Sequence, residues 1–316
     1  MKVLVLGGAG FIGRHAAEAL ASRGHRVVIA SRHPWRARRR LPAVLHACER
    51  REAHVERLLT PDAWHPLLRE IDVVVNTVGI LRERGAETYA RVHHFAPGAL
   101  AAACARRAIR LIHLSALGLH DRARSRFIRS KLAGERAIKA CGSEYCIVRP
   151  SLLDGDDGYA TRWLHRLAAL PIHVVPEDSN GRIAVMHVQE LGVAIAALCE
   201  MASVMRWREV ELGGRSPRTM AEHLLALRGR PALRIVVPSW LARITSHMFD
   251  VLHFSPFSFG HLELMRADNV PRENLLPVLL ERASLVRQRP EIVKPAPVAL
   301  GRPAFQAGRR LGSPAA

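Results

Sequence analysis

The chain has 316 residues, 49% of them hydrophobic, so it can bury a large core and does not have the composition of a disordered protein. Its formal net charge is +19, because 47 arginines and lysines stand against 28 carboxylates, and only four of the basic residues are lysines. The five cysteines form no CxxC pair and no metal-ligand spacing, which excludes a disulfide framework and favours free thiols in a reducing compartment.

The arginine excess has two interpretations, which the sequence leaves open. It favours polyanionic partners such as nucleic acid, anionic lipid or an acidic protein, or it reflects an arginine-rich genome that decorates solvated faces. Basic and aromatic residues do not alternate and no recognition motif occurs, so we expect no sequence-specific nucleic-acid binding. We also expect no signal peptide and no transmembrane segment, because a strand begins near residue 3 and no uncharged apolar run is long enough. The sequence therefore predicts a cytoplasmic protein, either free or peripheral to a membrane.

The stretch that organises the chain is GGAGFIG at residues 7–13. An apolar run at residues 3–6 precedes it, as expected of a buried parallel strand, and a helical pattern follows it as far as Gly24. Strand, glycine-rich turn and helix are the context of the dinucleotide-binding fingerprint, because the glycines let the backbone approach a pyrophosphate at the helix N-terminus. We therefore predict that a dinucleotide contacts Gly7, Gly10, Phe11, Ile12 and Gly13.

The second predicted strand, residues 26–30, is followed by Ser31 and Arg32 rather than by the carboxylate that holds the ribose hydroxyls of NAD. A carboxylate would repel a 2′-phosphate, whereas an arginine can pair with it through two hydrogen bonds. The sequence therefore favours NADP(H) over NAD(H), with Arg32 as the main ligand and Ser31 and Arg36 beside it. The alternative is that this arginine belongs to a solvated basic loop, as we expect for residues 38–40.

Strands and helices alternate as far as Pro150, which predicts an α/β fold with a doubly wound parallel sheet. Val78 and Gly79 follow the fourth strand, at the carboxyl edge of the sheet where ligands bind, so we assign them to the cofactor site together with Pro150. The predicted strands occupy residues 44–48, 72–77, 111–115 and 145–149, and the predicted helices run from 60 to about 69 and from about 87 to 107, the latter kinked at Pro97.

Several short motifs occur in the order found in one known superfamily. They are GGAGFIG, Asn76-x-Val78-Gly79, Ser115-Ala116-Leu117-Gly118, Arg129-Ser130-Lys131, Arg149-Pro150-Ser151 and His187-Val188-Gln189-Glu190-Leu191. On these motifs residues 1–285 resemble the short-chain dehydrogenase/reductase superfamily, in its atypical, extended, epimerase/dehydratase-like branch. Within that branch the chain is similar to the nucleotide-binding accessory subunit of respiratory complex I and its bacterial relatives. The resemblance implies a Rossmann fold, a nicotinamide dinucleotide as cofactor and, as a partner, a protein or membrane-associated complex.

Beyond Pro150 the regular alternation loosens, which indicates that a smaller C-terminal lobe is interleaved with the Rossmann sheet. We expect the Rossmann domain at residues 1–150, completed by about 183–213, and a substrate or partner lobe at 151–182 and 214–285. Residues 239–252 have an apolar stripe at helical spacing, for which a lobe core is the default and a membrane-facing role the alternative. The segment at residues 286–316 is basic, and its apolar residues follow no helical or strand periodicity. We expect it to form a disordered tail.

The loop at residues 154–158 contains three carboxylates, from Asp154, Asp156 and Asp157. Carboxylate oxygens suit calcium, but the length and ligand pattern of this loop do not match those of an EF-hand. We therefore expect a solvated loop here and no metal site.

In active members of the superfamily a tyrosine hydroxyl transfers the proton, a lysine four residues later lowers its pKa, and a serine polarises the substrate oxygen. Carried over residue by residue, the resemblance assigns the serine to Ser115 and the lysine to Lys131. The tyrosine position is Phe127, which has no proton to give. Because removing a positioned acid typically costs about 10²–10⁴ in rate, the usual mechanism is crippled unless His120, Tyr159 or a water chain substitutes.

Two functions therefore stay open. In the first, which the missing hydroxyl favours, the protein is a cofactor-binding module with a structural or regulatory part in a quinone-linked or membrane-linked complex. In the second, it is a working reductase or epimerase with a different proton donor. The intact glycine turn and Lys131 fit both functions.

Overall fold

The glycine-rich turn at residues 7–13 joins the first strand to the first helix, and the same alternation builds most of the molecule. A computed structural model describes residues 1–36, 41–142, 144–252 and 258–288. The strands are β1 (Lys2–Leu6), β2 (Arg26–Ser31), β3 (Glu49–Glu52), β4 (Val73–Asn76), β5 (Arg110–Leu114), β6 (Tyr145–Pro150), β7 (Leu153–Asp154), β8 (Ile172–Pro176), β9 (Arg182–Ile183), β10 (Met186–His187), β11 (Glu209–Leu212), β12 (Arg218–Thr219) and β13 (Leu233–Val237). The α-helices are α1 (Phe11–Ala21), α2 (Ala96–Ala105), α3 (Arg126–Ala140), α4 (Tyr159–Ala169), α5 (Val188–Cys199), α6 (Met220–Arg228), α7 (Ser239–Leu252), α8 (Phe259–Leu264) and α9 (Leu276–Gln288).

Seven strands form one sheet in the order β3-β2-β1-β4-β5-β6-β11, and every neighbouring pair in it is parallel. The strand order runs outward in both directions from β1, which confirms the predicted doubly wound α/β fold. Leu6 at the end of β1 lies opposite Asn76 at the end of β4. These two carboxyl ends flank the point where the strand order reverses, which is where ligands bind in such sheets.

Strand β1 shows how the sheet is covered on both faces. Val3 and Val5 belong to a core with α1, α5 and α9, whereas Leu4 and Leu6 belong to a second core with α2 and α3. All four side chains are fully buried, as expected of a central strand in a parallel sheet. Each buried side chain of this size contributes roughly 1.5–3 kcal/mol, so the strand that leads into the glycine turn is firmly held.

The edge strand of the sheet differs from the prediction. A strand is expected at residues 44–48, but the structure has a single 3₁₀ turn at Ala43–Leu45 and places β3 at the polar residues Glu49–Glu52. In the main sheet β3 pairs with β2 alone, so it needs no apolar side chains, and charges protect such an edge from further pairing.

The apolar residues 183–186 are also placed differently from the prediction. They do not return to the main sheet but lie across β9 and β10, which pair with β12 and β7. A short apolar run carries no information about its partner strand, so the sequence does not distinguish these pairings. The third two-stranded sheet of this part of the chain pairs β8 with β13. Around these small sheets α4 packs on α6, and α8 packs on both α7 and α3.

The predicted helix at 87–107 begins as a π-helix, Ala90–Phe95, which runs directly into α2. Pro97 lies in the first turn of α2 and has no N–H to pair with the carbonyl of His93, four residues earlier. That carbonyl faces α3 at Gly134, where any Cβ would overlap the His93 oxygen. Pro97 and Gly134 thus let the two helices approach closely, and this approach places His93 beside α3.

Helix α9 packs with the Rossmann core. Leu276, Leu279 and Ala283 are buried in the same core as α1 and α5. The expected boundaries place residues 276–285 in the second lobe. In the structure these residues cover the sheet, because their apolar side chains pack on α5. The expected tail at 286–316 lies outside the described residues from 289 onwards. None of the helices in the described part of the chain is long and apolar enough to cross a membrane.

Candidate functional site

A cavity of about 950 Å³ lies along the carboxyl edge of the sheet, between the glycine turn and the second lobe. It brings together all the residues that the sequence analysis assigned to the cofactor or to catalysis. These are Gly7, Gly10, Phe11, Ile12, Gly13, Ser31, Arg32, Arg36, Val78, Gly79, Ser115, Phe127, Lys131 and Pro150.

The glycine turn leaves no room for side chains where β1 meets α1. Gly7 has a φ of +73°, in the left-handed region that favours glycine, and a Cβ on Gly13 would overlap the Gly7 carbonyl oxygen. Helix α1 then begins at Phe11 with no side-chain cap and no acidic residue in its first turn. Its free N–H groups and the positive end of its dipole suit the negative charge of a pyrophosphate.

The end of β2 presents a hydroxyl and a guanidinium to the same cavity. The Ser31 hydroxyl oxygen is buried and has no hydrogen-bond partner within the described structure, so it suits a polar ligand atom. The side chain of Arg32 is 53% exposed, and its guanidinium forms an ion pair with the Glu87 carboxylate. Glu87 also lines the cavity. Nothing in the sequence links residue 87 to the end of β2, so the motifs do not predict Glu87 as a site residue.

His93 ties the loop after β4 to α3. Its Nε2 accepts a hydrogen bond from the Ile80 N–H at 3.0 Å, so its Nδ1 carries the proton and donates to the Ser130 hydroxyl at 3.1 Å. Burial, aided by the charge of Lys131, holds the pKa of His93 well below its ordinary value. The imidazole is therefore neutral, and it fixes the backbone beside Gly79 rather than acting as an acid.

Phe127, to which the resemblance assigns the tyrosine position, lies in a box of aromatic rings. Its ring centroid is 5.8 Å from that of Tyr89, 5.5 Å from that of His93 and 5.8 Å from that of His261. The ring is buried and lines the cavity. This part of the site therefore presents an apolar face where a phenol hydroxyl would lie.

Lys131 lies one helical turn after Phe127 on α3, and Ser115 directly follows β5. The Lys131 ammonium is 5.8 Å from the centre of the Phe127 ring. Burial lowers the pKa of Lys131 to about 8, against a smaller opposing effect of Glu135. The Ser115 hydroxyl is buried and has no hydrogen-bond partner among the described residues. Since a buried polar group without a partner is unfavourable, Ser115 suits a polar ligand atom.

His261 is a second residue of the site that the sequence analysis missed. It lies on α8, lines the cavity and stacks on Phe127, while its Nδ1 is 2.6 Å from the Ser258 hydroxyl. Burial, with a contribution from the charge of Arg82, lowers the pKa of His261 to about 4, so its imidazole is neutral at pH 7. In the sequence His261 is marked only by its spacing from Ser258, the N-cap of α8. That spacing predicts a helix start and gives no indication of a ligand.

Tyr159 and His120, the two residues named as substitutes for the missing tyrosine hydroxyl, lie in different places relative to the cavity. Tyr159 lines the cavity and is 56% exposed, whereas His120 is not among the lining residues. Across the described ranges no group of three His, Cys, Asp or Glu side chains is arranged to hold a metal ion. Asp154, in the acidic loop, instead accepts a hydrogen bond from His165 Nε2 at 2.9 Å.

The end of the cavity formed by the second lobe is apolar. Its wall consists of Leu152, Trp163, Leu164, Met220, Leu264 and Met265. The Ser151 and Thr161 hydroxyls also line it, but both donate to backbone carbonyls, at 2.8 and 2.6 Å. Within the described residues the arginines and lysines of the lining are Arg32, Arg36 and Lys131, so α4 and α6 contribute none.

Known proteins resemble the chain over most of its length. It is 31% identical to a ceramide reductase of Caulobacter vibrioides, over 85% of this chain and 86% of that protein. It is 25% identical to NADH dehydrogenase (ubiquinone) 1 alpha subcomplex subunit 9, mitochondrial, of Arabidopsis thaliana, over 70% of this chain, and it spans 55% of that subunit's length.

The fold is shared with solved enzymes. UDP-glucuronic acid 4-epimerase from Bacillus cereus, solved in complex with NAD, has a TM-score of 0.60 at 17% identity, covering 91% of this chain and 99% of that one. The family model for NAD dependent epimerases and dehydratases matches residues 3–204, which confirms the resemblance predicted from the motifs. The chain belongs to the NAD dependent epimerase/dehydratase family.

Proposed function

We propose that the protein is an NADP(H)-dependent reductase that acts on a carbonyl group carried by a long-chain lipid. The observation that carries the proposal is the apolar wall of the second lobe, which belongs to the same cavity as Ser115 and Lys131. An apolar wall without cations favours hydrocarbon over a charged substrate, because a diphosphate needs arginines or other charge-assisted donors. The ceramide reductase of Caulobacter vibrioides, whose name indicates a lipid substrate, supports this class over a nucleotide sugar.

The polar residues of the cavity supply the groups that carbonyl reduction requires. A bound dihydronicotinamide would supply a hydride to the carbonyl carbon, with the glycine turn holding its pyrophosphate. The Ser115 hydroxyl, which has no hydrogen-bond partner among the described residues, donates a hydrogen bond to the carbonyl oxygen. The Lys131 ammonium then gives that oxygen its proton and is reprotonated from solvent, so a ketone or aldehyde becomes an alcohol. A pKa of about 8 suits a general acid at neutral pH.

NADP(H) is the proposed cofactor because Ser31, Arg32 and Arg36 lie at the end of β2, where a 2′-phosphate would be held. Two carboxylates line this part of the cavity. Glu87 forms an ion pair with Arg32, and Glu56 lies 3.2 Å from His54 Nδ1 and 3.7 Å from Arg57 Nε. The epimerase of Bacillus cereus was solved with NAD, so this preference is a property of the end of β2 rather than of the fold.

A second candidate is a cofactor-binding module without turnover, which the apolar Phe127 in its box of rings favours. In that case the protein would bind the dinucleotide and serve a protein or membrane-associated complex. The relative in Arabidopsis thaliana, named as a subunit of NADH dehydrogenase, is consistent with such a role.

Steady-state oxidation of NADPH separates the two candidates. The substrates are a long-chain ketone in detergent micelles, a short-chain ketone and UDP-glucose, and we expect turnover with the long-chain ketone alone. We expect kcat to fall as pH rises through about 8, since Lys131 must carry a proton, and to fall about 10²-fold or more in Lys131→Met. Lys139→Met, a lysine further along α3 that pairs with Glu209, is the matched control and should leave kcat unchanged.

Two outcomes would contradict the reductase, and a third would contradict Lys131 as its proton donor. Turnover of UDP-glucose would place the chain among the nucleotide-sugar enzymes. Binding of NADPH without any turnover would favour the cofactor module. Loss of activity in Tyr159→Phe but not in Lys131→Met would make Tyr159 the proton donor.

A further inference from the structure

Helix α7 directs its apolar side chains away from the protein. Among the side chains of α7 that the structure describes, Ala242 and Ser246, on the opposite side of the helix, are buried. Large apolar side chains follow one another at four-residue intervals on the outer side and are 46–64% exposed: Trp240, Ile244, Met248 and Leu252. A surface helix normally buries such a stripe against the protein core. In α7 the large apolar side chains face outward instead.

The small sheet that precedes α7 is exposed in the same way. In the parallel pair of β8 and β13, Ile172 lies opposite Leu233 and Val174 opposite Ile235. Side chains two residues apart share a face of a strand, so these four form one patch, in which each is 41–62% exposed. Their neighbours in β8 that point the other way, at positions 173 and 175, are buried. Only Pro238 separates β13 from α7.

The same segment is strongly basic. Residues 223–249 contain four arginines and no carboxylate. The arginines are at positions 228, 230, 234 and 243, and within the described structure none of them forms an ion pair with an acidic side chain. Exposed apolar side chains flanked by arginines that pair with no carboxylate in the described structure are typical of helices that lie in the surface of an anionic bilayer.

We propose that α7 and the outer face of the β8–β13 pair form a docking surface for an anionic lipid bilayer. The apolar stripe enters the acyl boundary, Trp240 lies at the level of the headgroups, and the arginines contact the lipid phosphates. Self-association through this surface is opposed by the net charge of +19, whereas an anionic bilayer complements that charge. The inference rests on the proposed lipid substrate for its choice of a bilayer over a protein partner, but its test requires no turnover.

The test is co-sedimentation of the full chain with vesicles of phosphatidylglycerol and phosphatidylcholine, compared with pure phosphatidylcholine vesicles. We expect binding to the anionic vesicles, loss of that binding as salt rises, and a blue shift of tryptophan fluorescence that is absent in Trp240→Phe. Ile244→Asp should weaken binding about tenfold or more. Leu285→Asp on α9 is the matched control, because Ile244 and Leu285 are both 58% exposed; it should bind as the parent does.

Several results would overturn the proposal. Equal binding to neutral vesicles would remove the role of the arginines. If Ile244→Asp binds the anionic vesicles as the parent does, another basic segment of the chain is responsible for the binding. A dimer in solution that Ile244→Asp dissociates, without vesicle binding, would make the surface an interface between two copies.

The activity assay separates this proposal from the proposed function. Reduction of a long-chain ketone in micelles that persists in Ile244→Asp would leave the proposed activity standing, so the two proposals can fail separately.

Discussion

Replacing Arg32 with alanine should remove most of the preference for NADP(H), and the structure sets the size of the effect. A charge-assisted hydrogen bond to the 2′-phosphate contributes about 1.5–3 kcal/mol. Arg32 must first leave Glu87, but its side chain is 53% exposed, and an exposed ion pair is worth about 0–1 kcal/mol. With values near the middle of both ranges the difference is roughly 1–2 kcal/mol, which corresponds to a change in dissociation constant of about 5–30-fold.

Isothermal titration calorimetry of both cofactors against the parent, Arg32→Ala and Glu87→Gln measures this difference. We expect Arg32→Ala to weaken NADPH binding about 5–30-fold and to leave NADH binding nearly unchanged. Glu87→Gln should strengthen NADPH binding, because it frees Arg32 and removes a charge that repels the phosphate. Equal affinities of the parent for the two cofactors would refute the reasoning. Weaker NADH binding in Glu87→Gln would instead show that this carboxylate holds the ribose hydroxyls.

Three further substitutions test the site and its support. Gly13→Ala should abolish stabilisation by NADPH in a thermal shift assay, because the added Cβ meets the Gly7 carbonyl oxygen. Arg149→Met should lower the free energy of unfolding in urea by about 3–5 kcal/mol, since it leaves the Glu135 carboxylate, 1% exposed, without its partner; replacing both residues with methionine should cost less. Phe127→Tyr should raise kcat about tenfold or more with NADPH affinity unchanged, and a lower kcat would contradict the proposed shortage of proton donors.

The sequence predicts the nucleotide end of the site because the constraints there are local. Gly7 and Gly13 are needed where one backbone approaches another within a few residues, and the strand before them is uniformly apolar. In a parallel sheet the carboxyl ends of the strands lie at one edge, and this brings Val78 and Ser115 into the same cavity as the glycine turn.

The remainder of the site depends on contacts between distant segments. Glu87 reaches Arg32 across 55 residues, and His261 stacks on Phe127 from a lobe without any motif. The outward stripe of α7 could not be oriented from the sequence, because a stripe of that spacing is normally buried. Periodicity identifies an apolar face but not what covers it.

The protonation states of three histidines and of Lys131 support Lys131 as the acid of the proposed reductase. Burial lowers the pKa of His113 to about 3 and that of His261 to about 4, and it holds that of His93 well below its ordinary value. All three imidazoles are therefore deprotonated at pH 7. Lys131 is shifted in the same direction but from a higher starting value, and with a pKa of about 8 it still carries its proton. Among these four groups Lys131 is thus the one that carries a proton at neutral pH, as the proposed reductase requires.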